Sequence, residues 1–218
     1  MDPSAPAWSG PWLTGPLEPV ADERDVADLR VTGRLPDGLS GRLLRNGPNA
    51  AFAPLGRYHL FDGDGMVHGL WLDGDGGARY ANWWVESAGL AAERAAGHSL
   101  FGGLLDFRLP SPEVIAEVGL LKNTANTHVV AHAGRILALM EACKPTELGP
   151  DLETLGEVDF DGALHGPMTA HPKVDPVTGE MVFFGYGPFP PYMRIHSVDA
   201  EGRLTWTTEV DLLGPVMM

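Results

Sequence analysis

The sequence predicts an all-β protein made of short strands, and three observations support this fold class. Glycine and proline are abundant, with 28 and 19 copies in 218 residues, which is typical of chains with many turns. Short apolar runs recur along the chain, separated by Asp-Gly and similar turn pairs. Only two segments carry a helical pattern. Two strands about every 20 residues is the spacing of β-propeller blades, but β-sandwiches give a similar spacing, so both architectures stay open at this point.

The predicted strands follow one another in pairs that flank turns. Residues 127–141 read as a hairpin that turns at residues 132–134, and residues 174–179 form a turn before a strand at 180–187. The other predicted strands lie, in chain order, at residues 57–61, 66–72, 78–86, 168–172, 193–198 and 203–212. The Asp-Gly repeats at 62–65 and 73–77 are predicted to be the turns between the first three of these.

Two stretches interrupt the strand pattern and are predicted to be short helices. Residues 88–97 are rich in alanine. Residues 111–120 begin with Ser111 at a suitable N-cap position, Pro112 at the first helical position and Glu113 in the first turn. Both read as excursions from a scaffold of sheets.

Charge and composition exclude several classes of partner. The net charge of −14 and the pI near 4.8 argue against nucleic acid and anionic membrane surfaces, which both need a basic patch. The single cysteine, Cys143, excludes an intrachain disulfide. The first residues lack the basic and apolar regions of a signal peptide, and no apolar run reaches the roughly 18 residues of a membrane span. These features predict a cytoplasmic protein.

The motifs for common chemistries are incomplete or absent. A calcium loop of the EF-hand type starting at Asp62 needs glycine and glutamate where the chain has Val67 and Asp73. The chain has no G-x-S-x-G nucleophile motif, and Cys143 has no basic neighbour in the sequence other than Lys144, so it reads as an inert thiol. The eight histidines show no zinc-type spacing. If they bind a metal, the ligands must come from separate strands.

His171 stands out because Pro172 follows it and biases its backbone toward an extended conformation. From the residues alone, it reads either as a metal ligand with a defined direction or as a histidine at a turn.

Five blocks of sequence resemble one family, in order. They are LRNGPNAAF (44–52), HLFDGDGMVHGLWL (59–72), NTANTHVVAHAGRILALMEA (123–142), HGPMTAHPKVDPVTGEMVFFGYG (165–187) and DLLGPVMM (211–218). The family is the carotenoid cleavage oxygenases, which include the bacterial stilbene-cleaving enzymes. The resemblance runs from about residue 29 onward, and the FDGDGMVH and TAHPKVDP pair is its most specific part.

The resemblance implies a seven-bladed β-propeller with a non-haem Fe(II) on its axis, held by four histidines. Such enzymes use O2 to split a C=C bond into two carbonyl products. The histidine of the family's AHPK block is its first iron ligand, which is His171 here. Glu141 matches a glutamate that in the family hydrogen-bonds the free N–H of another iron-bound histidine, and such a carboxylate orients the ring.

The chain departs from the family pattern in three places. Ala50 and Leu213 stand where the family often has proline. The family's GPVMM block leads into a His-Asp-Phe sequence with the second iron ligand, and the given sequence stops at Met218. The resemblance therefore implies an irregular Pro/Gly-rich arm over residues 1–28 and a partial propeller over residues 29–218, covering roughly three blades and truncated before the second ligand. We expect this chain alone to be an inactive fragment that associates with other chains through an exposed strand edge.

The substrate implied by the resemblance is an apolar polyene or a stilbenoid. Lys122 resembles the phenol-binding lysine of stilbene cleavers, but Trp84 stands near where their partner tyrosine is expected, so a carotenoid or apocarotenoid is favoured. The apolar stretch 98–107 is a candidate border of a tunnel mouth touching membrane lipid, or else part of the core. Two other classes stay open: a non-catalytic propeller fragment that binds a partner or an apolar ligand, and a metal-independent hydrolase or lactonase of the propeller type.

Overall fold

The computed structural model describes residues 10–215 and confirms the all-β fold class. The strands of these residues are β1 (Arg24–Val26), β2 (Ser40–Asn49), β3 (Asp64–Asp73), β4 (Ala78–Trp84), β5 (His128–His132), β6 (Arg135–Leu139), β7 (Thr146–Leu148), β8 (Thr154–Glu157), β9 (Lys173–Val174), β10 (Met181–Tyr186), β11 (Met193–Val198) and β12 (Leu204–Val210). Two α-helices, α1 (Ala88–Ala96) and α2 (Pro112–Glu117), and two 3₁₀ turns, Gly15–Leu17 and Leu60–Asp62, complete the secondary structure.

These strands form three four-stranded antiparallel sheets that follow one another along the chain. The second sheet runs β5-β6-β7-β8 and the third runs β9-β10-β11-β12, each as a simple meander. The first sheet is the meander β2-β3-β4, completed by β1 on the free edge of β4. Three sheets of this kind in succession are the blades of a partial propeller.

The predicted arm of residues 1–28 overlaps the first sheet. Residues 1–9 lie outside the described residues. Within the rest, β1 pairs with β4, and the backbone of Val20 exchanges two hydrogen bonds with the side-chain amide of Asn49, at 2.8 and 2.7 Å. This part of the arm is therefore attached to the first blade. The boundary at residue 28 itself stays a prediction.

Most of the predicted elements lie within a few residues of their observed bounds. The hairpin turn at 132–134 separates β5 from β6, and the loop at 73–77 joins β3 to β4. Both helices form, and the side-chain oxygens of Ser87 and Ser111 accept the hydrogen bonds that cap them.

Two predicted strands are wrong. Residues 57–59 are irregular and lead into the 3₁₀ turn Leu60–Asp62, which is capped because Asp62 Oδ2 accepts from the His59 N–H at 2.8 Å and His59 Nδ1 accepts from the Phe61 N–H at 3.2 Å. Residues 168–172 are irregular as well, and the strand of this region is β9, two residues long. Residues 168–172 belong to no strand, although the Thr169 N–H donates to the Phe184 carbonyl at 2.7 Å.

Two hydrophobic interfaces hold the three sheets together. Between the first and second sheets the core contains Val67, Ile136 and Ala138, with Trp71 and Trp83 packed against it. Between the second and third sheets it contains Leu137 and Leu139 on one side and Met181, Phe183 and Val198 on the other. Burying one such side chain contributes roughly 1.5–3 kcal/mol, so these interfaces determine how the sheets stack.

The edge strands β2 and β5 lie side by side, and the segment just before the third edge strand, β9, adjoins β5. Asn46 on β2 donates from its amide to the carbonyl oxygens of Ala125, at 2.7 Å, and His128, at 3.0 Å, across to the second sheet. His128 on β5 contacts the carbonyl oxygen of Ala170, just before β9, at 2.8 Å. We call these three strands the inner edges, and the candidate site lies along them.

Candidate metal centre

His171 lies on the irregular segment that leads into β9, at the inner edge of the third sheet. Its neighbours Thr169, Ala170 and Pro172 are buried, whereas its own side chain is 62% exposed. Its backbone N–H donates to the hydroxyl of Thr169 at 3.2 Å. The sequence therefore anchors the backbone on both sides of His171 and leaves the ring accessible.

Glu141 follows β6 and meets His171 from the second sheet. One carboxylate oxygen, Oε1, lies 3.3 Å from His171 Nε2, and the other, Oε2, accepts a hydrogen bond from the Thr169 hydroxyl at 3.1 Å. The carboxylate thus contacts both the ring and the segment that carries it. Donation from Nε2 to Glu141 and metal binding through Nε2 exclude each other, since both use the same nitrogen.

The expected role of Glu141 was to bond a different iron-bound histidine. Here it contacts His171 itself, and that expected role stays a prediction. The ring of His128 also flanks His171, with centroids 6.2 Å apart and planes inclined by 29°. His128 matches no ligand block of the family, so no sequence motif marks it. Its position on β5 became visible only when the two inner edges were brought together.

The other histidines are separated from this group and mostly bound to nearby atoms. His132 contacts the Gly179 carbonyl at 2.9 Å, His68 the Tyr80 hydroxyl at 2.7 Å, and His196 the Thr207 hydroxyl at 2.9 Å. Within residues 10–215, no three His, Cys, Asp or Glu side chains lie close enough to hold a metal ion.

His171 fits one position in an iron site made of imidazoles. An accessible neutral imidazole is a donor that Fe(II) accepts, and its backbone is held by Thr169 and the buried Pro172. The described part of the chain brings Glu141 and His128 beside it but forms no group of three donors. The fit is therefore that of a single ligand, and the assignment of His171 stays a prediction.

Lys122 lies in a buried cluster of charges. Its ammonium is 2.5 Å from Glu93 Oε2 and 2.5 Å from Asp64 Oδ1, and all three side chains are at most 10% exposed. Both carboxylates therefore lie within ion-pair distance of the same ammonium. Burial raises the pKa of Asp64, Lys122 opposes the rise, and the charge of Glu93 adds to it. Trp84, the other residue considered for phenol binding, is 7% exposed and packs with Met66 and Leu90.

Cys143 behaves as the sequence suggested. It is a free thiol, and burial, assisted by the charge of Glu157, raises its pKa to about 12. A thiol that stays protonated at neutral pH is a poor nucleophile.

The apolar stretch 98–107 is split between core and surface. Phe101 is buried, whereas Leu104 and Phe107 are 60% and 64% exposed, beside Leu105 and the similarly exposed Phe61. The stretch is held firmly, because Leu100 N–H donates to Glu93 Oε1 and Leu104 N–H to Asp62 Oδ1, both at 2.8 Å. In residues 10–215, no helix has the length and apolar character to cross a membrane.

Comparison with known proteins places the whole arrangement in one family. The model of the family described as RPE65, retinal pigment epithelial membrane protein, matches residues 17–218. The chain is 40% identical over 95% of its length to carotenoid 9,10(9',10')-cleavage dioxygenase 1 of Phaseolus vulgaris and 42% identical over 95% to a carotenoid cleavage oxygenase of Mycobacterium tuberculosis. It is 39% identical over 91% of its length to the isoeugenol monooxygenase of Pseudomonas nitroreducens.

Comparison with solved structures gives the same family. The crystal structure of the lignostilbene dioxygenase of Pseudomonas brassicacearum superposes with a TM-score of 0.86 at 31% identity, over 98% of this chain and 45% of that one. An apocarotenoid oxygenase of Synechocystis gives a TM-score of 0.77 at 28% identity, over 91% of this chain and 44% of that one. The chain spans 40% to 42% of the three curated relatives named above. The predicted partial β-propeller is thereby confirmed, and the chain belongs to the RPE65/carotenoid cleavage oxygenase family.

Proposed function

We propose that this chain is the part of a non-haem Fe(II) dioxygenase that supplies one iron ligand, His171, for the cleavage of a C=C bond in a carotenoid or apocarotenoid. When bound, the iron supplies the activation of O2 for reaction with the alkene. The observation that carries the proposal is the convergence of His171 and Glu141 at the inner edges of two blades, 3.3 Å apart, in a chain of this family.

The contribution of the chain's own residues is to hold and orient the ligand. Thr169 links the backbone N–H of His171 to Glu141, at 3.2 and 3.1 Å. Glu141 provides a proton acceptor beside the ring, and the exposed ring leaves room for further donors. With no group of three donors in residues 10–215, we propose that the 218 residues alone bind iron weakly and do not turn over.

The choice of a carotenoid-type substrate rests on Lys122. A phenol needs a free polar partner, but two of the three N–H donors of this ammonium face the carboxylates of Glu93 and Asp64. The cluster carries more negative than positive charge, which disfavours a phenolate. Trp84 is committed to the core as well.

A stilbenoid is the second candidate substrate, favoured by the high structural similarity to the lignostilbene dioxygenase. The two are distinguished by offering one apocarotenoid and one hydroxystilbene to the same preparation and comparing the rates of cleavage. A Lys122→Met variant that loses only the stilbene activity would assign Lys122 to the substrate and overturn the preference stated above.

The proposal is tested with a chimera, in which residues 1–218 are joined to the region of the Mycobacterium tuberculosis relative that follows its matched segment. We expect the chimera to bind one iron and to cleave an apocarotenoid, and His171→Ala to abolish both. His165→Ala is the matched control, since His165 is an exposed histidine six residues before His171. It does not belong to the group formed by His171, Glu141 and His128. A His171→Ala chimera that retains iron and activity would refute the assignment. Hydrolysis of an ester or lactone by the iron-free chimera, without cleavage of the C=C bond, would favour the hydrolase alternative.

We further propose that the exposed apolar residues around Leu104 and Phe107 contact membrane lipid at the mouth of the substrate tunnel. Both side chains are more than half exposed on a stretch fixed by Glu93 and Asp62. Replacing both by serine should reduce co-sedimentation with neutral phosphatidylcholine vesicles, whereas serine at Val177, an exposed turn residue elsewhere, should not. If the wild type, the double serine variant and Val177→Ser all sediment equally with the vesicles, the patch does not contact lipid. The net charge of −14 makes neutral rather than anionic lipid the appropriate probe.

A further inference from the structure

We infer that His128 is a positioning residue, which fixes the ring of His171 from the neighbouring blade. The inference rests on the proposed role of His171 as a ligand and adds a residue that matches no ligand block of the family. The observation is the double contact of His128 with the segment before β9, through a hydrogen bond and through ring stacking.

The hydrogen bond determines which nitrogen of His128 carries the proton. His128 Nδ1 lies 2.8 Å from the carbonyl oxygen of Ala170, and a carbonyl oxygen only accepts. Nδ1 is therefore the donor, and in the neutral ring Nε2 keeps its lone pair. Because Ala170 directly precedes His171, this bond holds the peptide that begins the ligand residue.

The ring contact acts on the side chain itself. The two imidazole planes are inclined by only 29°, with centroids 6.2 Å apart, so the ring of His128 lies beside that of His171. Glu141 meets the same ring at its edge, 3.3 Å from Nε2. The second blade thus constrains the ligand from two directions. A 62% exposed side chain needs such constraints, because its own blade does not enclose it.

The opposite end of β5 offers a matched control. His132 Nε2 contacts the carbonyl oxygen of Gly179 at 2.9 Å, so it makes the same kind of bond from the second blade to the third. Since side chains alternate along a strand, His128 and His132 lie on the same face of β5. They differ in that only His128 adjoins His171. Loss of either bond should weaken the interface, and only loss of the His128 bond should disturb the ligand.

The first test uses metal-free protein and NMR spectroscopy of residues 1–218. In the neutral ring, long-range ¹⁵N–¹H correlations should place the proton of His128 on Nδ1. Scalar couplings should place His171 in one χ1 rotamer. We expect His128→Ala to average that rotamer, and His128→Asn, which keeps an N–H donor near the position of Nδ1, to restore it at least in part. His132→Ala should leave it unchanged. A proton on Nε2 of His128, or an unchanged His171 rotamer in His128→Ala, would overturn the inference.

The second test uses Co²⁺ alone as a probe, with its affinity measured from the broadening of the backbone amide resonances of Thr169 and Ala170, which every variant retains. His128→Ala should weaken binding by up to about 10-fold, at the lower end of the range for residues that orient a ligand, and His132→Ala should not. Equal affinities in wild type and His128→Ala count against the positioning role. If instead His171→Ala leaves Co²⁺ binding intact, the proposed ligand is wrong, and the metal-free measurements decide by themselves whether His128 orients the ring.

Discussion

Asp64 is an acidic residue in a buried environment. It begins β3, is 3% exposed, and shares one ammonium with Glu93. Two buried carboxylates against one cation leave an uncompensated negative charge, and burial raises the pKa of Asp64. A buried ion pair of this kind contributes little net stability, because desolvation of the charges offsets their attraction. It joins β3, α1 and the segment that carries Lys122.

The pH dependence of stability should report this raised pKa. A carboxyl whose folded pKa exceeds its unfolded value stabilises the fold below the unfolded pKa, and the contribution disappears as pH rises through the folded pKa. We therefore expect Asp64→Asn to gain stability relative to wild type as pH increases from about 4 to 8, by about 1.4 kcal/mol for each unit of the shift. Urea unfolding at a series of pH values measures this.

Glu93→Gln is the companion variant. Glu93 accepts hydrogen bonds from both Lys122 and the backbone of Leu100, so its loss leaves a buried donor unpaired. It should destabilise the protein at every pH, by roughly 1–3 kcal/mol.

A difference in stability between wild type and Asp64→Asn that stays constant from pH 4 to 8 would contradict the raised pKa of Asp64.

Glu141 permits a second prediction at this scale. In the chimera described above, Glu141→Gln should keep its fold and bind iron about 10- to 100-fold more weakly, because a carboxylate beside a ligating ring orients it and raises its basicity. Glu209→Gln is the control, since Glu209 is 61% exposed and pairs with Arg194, away from His171. Unchanged iron content and turnover in Glu141→Gln would show that this carboxylate does not orient an iron ligand.

At the scale of the elements, β3 depends on a close approach between blades. Gly65 on β3 donates its N–H to the Thr124 carbonyl at 2.7 Å, and a Cβ at this position would clash with the carbonyl oxygen of Ala125. The glycine of the FDGDGMVH block is therefore required by the packing of the first blade against the segment before β5. A calcium loop is not needed to explain it.

Gly65→Ala should destabilise the chain by roughly 1–3 kcal/mol, the usual cost of overpacking against an atom that cannot move aside. Gly47→Ala is the matched control. Gly47 lies in the same sheet, on β2, and a Cβ there would meet nothing within 4 Å. Alanine should be tolerated at that position. Chemical denaturation compares the two variants, and equal midpoints would mean that the backbone near Ala125 yields easily.

At the scale of the whole molecule, the third blade has two different faces. Met181, Phe183 and Val198 face the second blade and are almost fully buried. The opposite face carries the paired row Val182, Ser197 and Trp206, in which Val182 is 40% and Trp206 50% exposed. The predicted association through a strand edge stays a prediction, and this apolar face is a second surface that favours self-association.

Replacing Val182 and Trp206 together by threonine should lower the tendency of residues 1–218 to associate, because it removes apolar area from the exposed face and keeps a residue suited to strands. Light scattering after size-exclusion chromatography gives the mass distribution. Val177→Thr, in an exposed turn, controls for the loss of a single apolar side chain. If only the control variant dissociates the protein, the open face is not the surface involved.

The sequence by itself determined the fold class, most hairpins, both helices and the family. Local rules are sufficient for these features, since alternating apolar residues, Asp-Gly turns and Ser-Pro-Glu helix starts act over a few neighbouring residues. The strands that it missed are β1, β7 and β8, of three or four residues, and β2, of ten residues. The short strands exist because a longer neighbour offers them a ladder, and β2, with the sequence SGRLLRNGPN, carries no alternation of apolar residues that would mark it as a strand.

Only the tertiary structure decided which side chains meet. His128, Glu141 and His171 lie on three separate segments, and their contacts follow from how the second and third blades stack. The same stacking of distant segments placed Lys122 between Asp64 and Glu93. Contacts between residues far apart in sequence depend on interfaces built by many apolar side chains together, so the orientation of a single histidine is determined by the packing of whole blades.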